Sequence, residues 1–246
     1  MIILLPPSES KLSGGQSKGQ PLSFPSLEPA RDQVAMELLE LCQNPDLASK
    51  ALKLGPKQSS LIAANLEIQS GPFLPSIERY DGVLFEAIKR KPLSPAELKF
   101  AAKNVFIQSA LFGPIGATDL IPNYRLSGTT HLGPKSLKAI WQSAHAGIWE
   151  NFRGELILDL RSNAYSDLAP IPDSIEHFDV EVLEQDQGGI RKTLNHFNKA
   201  AKGEFAREFI ETQNPDLSLK DLKSVAKKAG LGFEIRDRKV LLITHR

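Results

Sequence analysis

The fold of this chain is decided by the stretch Phe106-Ile-Gln-Ser-Ala-Leu-Phe-Gly-Pro-Ile-Gly-Ala-Thr-Asp-Leu-Ile-Pro-Asn-Tyr-Arg-Leu126. It opens with an apolar pattern typical of a buried strand, and glycines and prolines follow at once. Gly113, Pro114 and Gly116 predict a fixed backbone turn, and Pro122 holds the residue before it extended. We therefore expect a strand that runs into a rigid connection.

That connection carries three side chains with useful chemistry, Asp119, Tyr124 and Arg125. Rigid loops often hold functional residues, so we expect these three to face a pocket. One alternative is a structural turn in which Asp119 caps the next segment. Arg125 has an alternative of its own, a buried salt bridge with Asp119 or Asp159.

On both sides of this stretch, strand and helix patterns are interspersed without a strict repeat. Apolar runs predict strands at residues 2–5, 105–108, 155–160 and 174–183, and a closing hairpin at residues 233–243. Helical spacing, caps and glycine stops predict helices at residues 28–42, 94–103, 135–152, 195–211 and 219–229. The pattern favours the α/β class, with a mixed sheet covered by helices in one compact domain spanning residues 1–246.

The composition is that of a globular protein from a reducing compartment. Of 246 residues, 41% are hydrophobic, enough for a real core. Cys42 is the only cysteine, so neither a disulfide framework nor a cysteine metal site is available. The apolar start stops at Pro6 and Pro7, and no segment is long enough to span a bilayer, so we expect a cytoplasmic protein with no membrane role.

Positive charge is concentrated near the end of the chain. The formal net charge is only +1, but residues 191–246 contain thirteen Lys or Arg against seven Asp or Glu. This excess favours a polyanionic partner, although a solvated surface balanced by neighbouring acids has the same count.

The predicted helix at residues 195–211 carries part of that charge. Its apolar residues recur every four positions and predict a buried stripe of Phe197, Ala201, Phe205 and Phe209. Lys199, Lys202 and Arg207 fall on the other side, with Gly203 among them. A glycine inside a helix costs about 1 kcal/mol relative to alanine, so we expect a phosphate to approach the backbone there. The alternatives are a solvated helix face and a glycine that serves helix packing.

A second phosphate-binding element is expected at Leu54-Gly55-Pro56. Helical segments flank this tripeptide, and the pairing resembles a helix-hairpin-helix, which would aim the free N–H groups of the second helix at a DNA phosphate beside Lys57. Helix, Gly-Pro, helix is also a common way to turn a corner.

Further polar residues follow the predicted strands at residues 2–5 and 155–160. Ser8 and Lys11 have the spacing of a serine nucleophile activated by lysine, but they lie in a loop, so a lysine lining an anion pocket is the better functional interpretation. Ser162 and Tyr165 follow the other strand. Ligands often bind at strand ends where the strand order reverses. We therefore expect a cationic pocket for a small anionic ligand, formed by Ser8, Lys11, Arg125, Ser162 and Tyr165. The structural alternative is a plain surface lysine.

The histidines do not predict a metal centre. The chain has five histidines, widely scattered and without the spacings typical of metal ligands. We therefore expect no metal and no bound cofactor.

The chain resembles the YaaA family of peroxide stress proteins over nearly its whole length. The opening stretch is similar to the family's SGLYG…RPLDL…PYRL signature, and other landmarks follow in the family's order: the start Met1-Ile-Ile-Leu-Leu-Pro-Pro7, Tyr80-Asp-Gly-Val-Leu-Phe-Glu-Ala-Ile88, Trp141, Leu156-Ile-Leu-Asp-Leu-Arg-Ser-Asn-Ala-Tyr165, and residues 195–210. The family's Lys-Ala-Arg-Gly run appears here as Lys199-Ala-Ala-Lys-Gly203. Lys202 in place of arginine weakens the expectation of two-pronged phosphate binding.

The resemblance implies one α/β domain of unusual topology, with a positively charged cleft and a helix-hairpin-helix element. It also implies a role in the response to hydrogen peroxide, protecting DNA or limiting free iron. We therefore predict a DNA-binding protein that contacts phosphates without sequence preference. The alternatives are an enzyme acting on a small anionic substrate in the pocket of Ser8, Lys11, Arg125, Ser162 and Tyr165, and a purely structural interaction protein.

Overall fold

The computed structural model describes residues 1–185, 191–193 and 198–245. The strands are β1 (Ile2–Leu5), β2 (Phe73–Pro75), β3 (Val105–Ser109), β4 (Gly113–Gly116), β5 (Leu120–Pro122), β6 (Ile157–Asp159), β7 (His177–Gln185), β8 (Arg191–Thr193), β9 (Gly232–Arg236) and β10 (Lys239–His245). The helices are α1 (Glu28–Cys42), α2 (Pro45–Ala51), α3 (Ser60–Leu66), α4 (Ser76–Arg79), α5 (Val83–Ile88), α6 (Pro95–Asn104), α7 (Leu137–Ala144), α8 (Asn163–Ser166), α9 (Asn198–Thr212) and α10 (Leu222–Lys228). Short 3-10 helices cover Pro25–Leu27 and His145–Phe152.

The main sheet is mixed, as the sequence predicts for the α/β class. Its strands run in the order β4-β3-β1-β6-β7-β10-β9, and β8 also pairs with β7. The central strands from β3 to β10 are parallel to one another, whereas β4, β8 and β9 join antiparallel. β1 and β10 belong to the same sheet, so the first and the last strand of the described chain lie in one domain.

The order of the sheet reverses beside β1. Ile3 pairs with Val105 of β3 on one side and with Leu158 of β6 on the other. The chain leaves β1 towards β3 and leaves β6 in the opposite direction, towards β7. In open α/β sheets, the carboxyl ends of two such strands border a crevice that takes ligands. The residues after β1 and β6 are therefore placed at a natural binding position.

Local sequence signals account for several element boundaries. α1 has the predicted bounds, and Ser94 starts α6 with the predicted capping box, in which Ser94 and Glu97 bond each other's backbone N–H groups. Gly230 follows α10 with φ 72°, a left-handed conformation that glycine adopts without strain. β9 and β10 form the predicted closing hairpin.

The prediction of a simple turn at Gly113 to Gly116 is wrong. These residues form β4, which pairs antiparallel with β3, so that Phe106 faces Gly116. Gly113 has φ 66°, and a Cβ there would lie 2.8 Å from the ring of Trp141. The glycine is required because the backbone turns beside a buried indole. Pairing between strands, rather than local turn chemistry, decides this segment.

One helix prediction also needs adjustment. The predicted helix at residues 135–152 is α7 followed by a 3-10 helix. The predicted helix at 195–211 corresponds to α9, and residues 195–197 lie outside the described residues. In the described part of the chain, no helix combines the length and apolarity needed to cross a membrane.

Candidate functional site at the carboxyl edge of the sheet

The Lys11 amine lies at the centre of a partly buried polar cluster. Its Nζ donates hydrogen bonds to the carbonyl oxygens of Ser8, at 2.9 Å, and Glu9, at 3.3 Å. The same nitrogen lies 4.0 Å from the centroid of the Tyr124 ring and 5.3 Å from that of Tyr80. An ammonium over aromatic faces is stabilised by the ring quadrupoles. The predicted proximity of Ser8, Lys11 and Tyr124 is therefore found.

Hydroxyl groups form a chain behind Lys11. Ser109 Oγ accepts hydrogen bonds from the backbone N–H groups of Leu111 and Phe112, at 3.1 and 3.0 Å. Both lone pairs of Ser109 are thereby used, so its hydrogen is directed to Tyr124 Oη at 2.8 Å. Tyr124 is then free to donate to Tyr80 Oη at 2.7 Å. Desolvation by burial raises the pKa values of both tyrosines, so both rings are neutral at physiological pH.

Arg125 joins the cluster through a partner that sequence analysis missed. Its guanidinium forms a salt bridge with Glu9, not with Asp119 or Asp159. The Arg125 Nε atom is buried and has no hydrogen-bond partner among the described residues. Asn65 fixes the Arg125 backbone, accepting from its N–H at 2.7 Å and donating to its carbonyl at 3.0 Å. A donor with spare capacity is thus held beside the Lys11 amine.

Burial and neighbouring charges make the Lys11 amine easy to deprotonate. The pKa of Lys11 is lowered from 10.5 to about 7; desolvation by burial is the largest cause, Glu9 acts to raise the pKa, and the like charges of Arg125 and Arg79 act to lower it. A substantial share of the amine is therefore neutral near pH 7. Lysines tuned in this way serve as bases or nucleophiles.

Arg79 holds the Lys11 loop in place. It is fully buried, and its guanidinium donates to the carbonyl oxygens of Leu12, Gly14 (2.9 Å), Pro72 (2.7 Å) and Ile121 (3.1 Å). The backbone adds a bond from Leu12 N–H to the Arg79 carbonyl at 2.9 Å. The role of Arg79 cannot be recognised from the sequence, because its carbonyl partners come from three separate segments.

A cavity of about 720 Å³ adjoins this cluster and opens between β6, β7 and α9. Glu9, Ser162 and Tyr165 line it. Ser8, Lys11 and Arg125 do not, so the structure does not bring the residues of the predicted pocket into one cavity. Tyr165 Oη accepts a bond of 3.4 Å from the Gly128 N–H, and burial raises the Tyr165 pKa to about 12. Tyr165 and Ser162 thus lie on the cavity side of Glu9.

Arg161 also lines the cavity, but its charge is neutralised. Its Nε and Nη2 atoms donate to the two carboxylate oxygens of Asp159, at 2.8 and 2.7 Å. Its Nη1 donates to Gln108 and to the Ala169 carbonyl. This fully bonded pair fixes the end of β6 rather than offering a free cation.

Asp119 lies apart from the cluster, which corrects its predicted place in the pocket. Its carboxylate accepts from the backbone N–H and Oγ of Ser23, at 2.8 and 3.0 Å, and from the Gly116 N–H at 2.9 Å. Asp119 therefore caps the turn after β4, as the structural alternative states.

The prediction of an exposed basic face on α9 is wrong for Lys202 and Arg207. Lys202 is 7% exposed and Arg207 is fully buried, where it bonds Glu97 and Glu211. A Cβ on Gly203 would lie 2.3 Å from the Leu84 carbonyl oxygen, so this glycine packs α9 against α5. The amphipathic pattern misleads because α5, α6, α10 and β7 cover α9 on several sides.

Lys57 and Lys199 are both exposed. The helix-hairpin-helix is not confirmed, because residues 52–59 separate α2 from α3 and the Gly55 N–H donates to Gln58 Oε1 at 2.9 Å. Its amide is thus bonded by a neighbouring side chain. No group of three or more His, Cys, Asp or Glu in the described ranges is arranged to hold a metal ion.

The fold and this site together define the class of protein: an α/β protein with a polar, lysine-centred site where the order of its parallel strands reverses.

The chain belongs to the family described as peroxide stress protein YaaA, and the model of that family matches residues 1–237. It is 38% identical over 242 residues to a UPF0246 protein of Corynebacterium glutamicum strain R, covering 95% of both chains. A UPF0246 protein of Streptomyces coelicolor is 34% identical over 241 residues, covering 96% of this chain and 92% of the relative. The resemblance predicted from the sequence is confirmed, and the family description supports a role in peroxide stress.

Proposed function

We propose that this protein is a cytoplasmic enzyme that acts on a small anionic substrate, with the Lys11 amine transferring a proton. The observation that carries the proposal is the enclosure of that amine between the Tyr124 ring and two backbone carbonyls, next to Arg125. Pockets with a desolvated lysine favour chemistry over mere surface attraction.

The roles of the neighbouring residues follow from their contacts. Arg125, with its unpartnered Nε, would bind an anionic group of the substrate. Glu9 holds the Nη1 side of the same guanidinium, because its carboxylate forms a salt bridge with that atom. Ser109, Tyr124 and Tyr80 would hold the Lys11 amine in position and exclude water from its inner side.

The test is turnover of anionic metabolites by the purified protein. Wild type, Lys11→Met and the matched control Lys18→Met, an exposed lysine of the same loop, are each incubated with a bacterial metabolite extract that is then analysed by mass spectrometry. We expect at least one anionic metabolite to be consumed by wild type and Lys18→Met and spared by Lys11→Met. Equal profiles for wild type and Lys11→Met would overturn the proposal.

DNA binding with protection of DNA or limitation of free iron is a second candidate function. Its support is the exposed lysines of and next to α10, Lys220, Lys223, Lys227 and Lys228, together with Lys57 and Lys199. Lys202, Gly203 and Arg207 do not contribute, because they are buried. Contacts from such surface lysines would be strongly dependent on salt.

A salt titration of binding to duplex, bubble and single-stranded DNA tests this second candidate. The double variant Lys223→Glu/Lys227→Glu is compared with Lys103→Glu, an exposed lysine on α6. Weaker binding and a flatter salt slope in the double variant alone would support DNA contact through α10. Unchanged binding would exclude that surface.

A further inference from the structure

Lys202 is a buried cation without an ion pair. It is 7% exposed, and its Nζ donates to the Leu160 carbonyl at 2.9 Å. Among the described residues, no carboxylate lies within 4.0 Å of it and the Leu160 carbonyl is its one hydrogen-bond partner. An ammonium has three N–H donors, so two remain free. Burying a charge without compensation is expensive, which makes a purely structural role a poor explanation.

The carboxylates near Lys202 are bound elsewhere or exposed. Asp159 accepts from Arg161 with both carboxylate oxygens. Glu181 forms a salt bridge of 2.6 Å with Lys239. Asp179 is exposed at the rim. The positive charge of Lys202 therefore faces the 720 Å³ cavity that it lines.

Asn198 offers a complementary atom in the same cavity. Its Oδ1 is buried and has no hydrogen-bond partner in the part of the chain that the structure describes. Asn198 and Lys202 are four residues apart on α9, so their side chains lie on one face, with Cβ atoms about 5–6 Å apart. An unused acceptor thus lies beside two unused donors.

We propose that the cavity between β6, β7 and α9 is a binding site for a small molecule that carries a carboxylate or phosphate together with a neighbouring hydroxyl or amino group. The anionic group accepts from Lys202, and the hydroxyl or amine donates to Asn198 Oδ1. This inference deepens the proposed function and rests on it for the meaning of the ligand as substrate, because Glu9 and Tyr165 connect the cavity to the Lys11 cluster.

Paired ligands separate the two contacts. Succinate and L-malate have the same carbon chain and charge, and malate adds one hydroxyl; inorganic phosphate serves as a general anion. Binding constants are measured by isothermal titration calorimetry at constant ionic strength, and the NMR shifts of the lysine Cε–Hε groups in proteins that keep Lys202 locate the bound anion. The variants are Lys202→Met, Asn198→Ala and the control Lys103→Met, an exposed lysine on α6 that does not line the cavity.

We expect wild type to bind malate at least fivefold more tightly than succinate, with the shift centred on the Lys202 signal. Lys202→Met should weaken the binding of all three anions at least tenfold. Asn198→Ala should reduce the affinity for malate to that for succinate. Lys103→Met should bind each anion within twofold of wild type. Each variant is first shown to be folded by its thermal transition.

The proposal is overturned if none of the three anions shifts the Lys202 signal, or if folded Lys202→Met binds them as wild type does. Equal affinities of wild type for malate and succinate would contradict the hydrogen bond proposed between the ligand hydroxyl and Asn198 Oδ1. Lys11→Met distinguishes the two proposals, since it should abolish turnover and leave the Lys202 shifts intact. If Lys11→Met turns over substrate as wild type does while anions still bind at Lys202, only the proposed function is overturned.

Discussion

The amine of Lys11 lies 4.0 Å from the centre of the Tyr124 ring. Lys11 follows β1 and Tyr124 follows β5, so the contact joins two segments that are far apart in the sequence. The contact places a readily deprotonated amine in an aromatic enclosure at the crevice where the strand order reverses. A base held in this way is poised to accept or donate a proton at neutral pH.

Charge changes on either side of Lys11 should move its pKa in opposite directions. Arg125→Met removes a neighbouring positive charge and should raise the Lys11 pKa above about 7, whereas Glu9→Gln removes a negative charge and should lower it. NMR titration of the Lys11 side chain measures both shifts. The Lys18 signal serves as the control and should not move. Shifts of the same sign in the two variants would contradict the assigned electrostatics.

Arg79→Met should destabilise the protein and release the Lys11 loop. The substitution leaves the carbonyl oxygens of four residues without their donor, so we expect a loss of about 2–4 kcal/mol in the free energy of unfolding. Chemical denaturation measures the loss. The control is Arg153→Met, which removes an exposed pair with Glu150 and should cost under about 1 kcal/mol. Equal effects of the two variants would argue against Arg79 as the residue that anchors the loop.

Lys202→Met should stabilise the protein at pH 7. Desolvation lowers the pKa of Lys202 from 10.5 to about 8, so the buried charge destabilises the folded state fully below pH 8. Each pKa unit is worth about 1.4 kcal/mol, and the lost bond to Leu160 offsets about 1 kcal/mol. We expect a net gain of about 2 kcal/mol, measured by denaturation.

The pH dependence gives the sign of this effect independently. Lys202 binds its proton more tightly in the unfolded state than in the folded state. Its contribution to the free energy of unfolding of wild type should therefore rise between pH 8 and 10.5. That rise should be absent in Lys202→Met and retained in Lys199→Met. A Lys202→Met variant that is less stable than wild type at pH 7 would contradict the account of Lys202 as a strained cation.

Gly203→Ala should destabilise the contact between α9 and α5. Alanine favours helix by about 1 kcal/mol over glycine, but its Cβ would lie 2.3 Å from the Leu84 carbonyl oxygen, so we expect a net loss of about 3 kcal/mol. The control is Gly147→Ala, where the added Cβ meets nothing within 4 Å. Thermal unfolding compares the two, and a neutral Gly203→Ala would show that α9 does not pack as described.

Sequence predicted the elements that local signals decide. The Ser94 capping box and the limits of α1 depend on neighbouring residues and were found as expected. β4 was missed because its conformation depends on pairing with β3. The helical period of α9 revealed one buried stripe, but it could not reveal that other elements cover the remaining faces.

The same distinction applies to the site. Lys11 follows β1 of the parallel sheet, and the rule for such sheets favours a site there. Tyr124 and Arg125 follow β5, which pairs antiparallel with β2 in a separate sheet, so their convergence with Lys11 depends on tertiary packing. Glu9 and Arg79 could not be assigned, because a salt bridge and a set of carbonyl partners depend on tertiary contacts. Asp119 shares the signature loop with Arg125 but points to Ser23, a choice that no spacing in the sequence encodes.

The most direct test of the central claim is an NMR titration of the Lys11 side chain with and without inorganic phosphate. We predict a pKa of about 7 for Lys11 in the free protein, and a higher pKa when an anion binds beside Arg125 and stabilises the ammonium. The signal of Lys18, an exposed lysine of the same loop, should not respond to phosphate. A Lys11 pKa near 10.5 that does not respond to phosphate would contradict the claim that this residue is the reactive group of an anion-binding site.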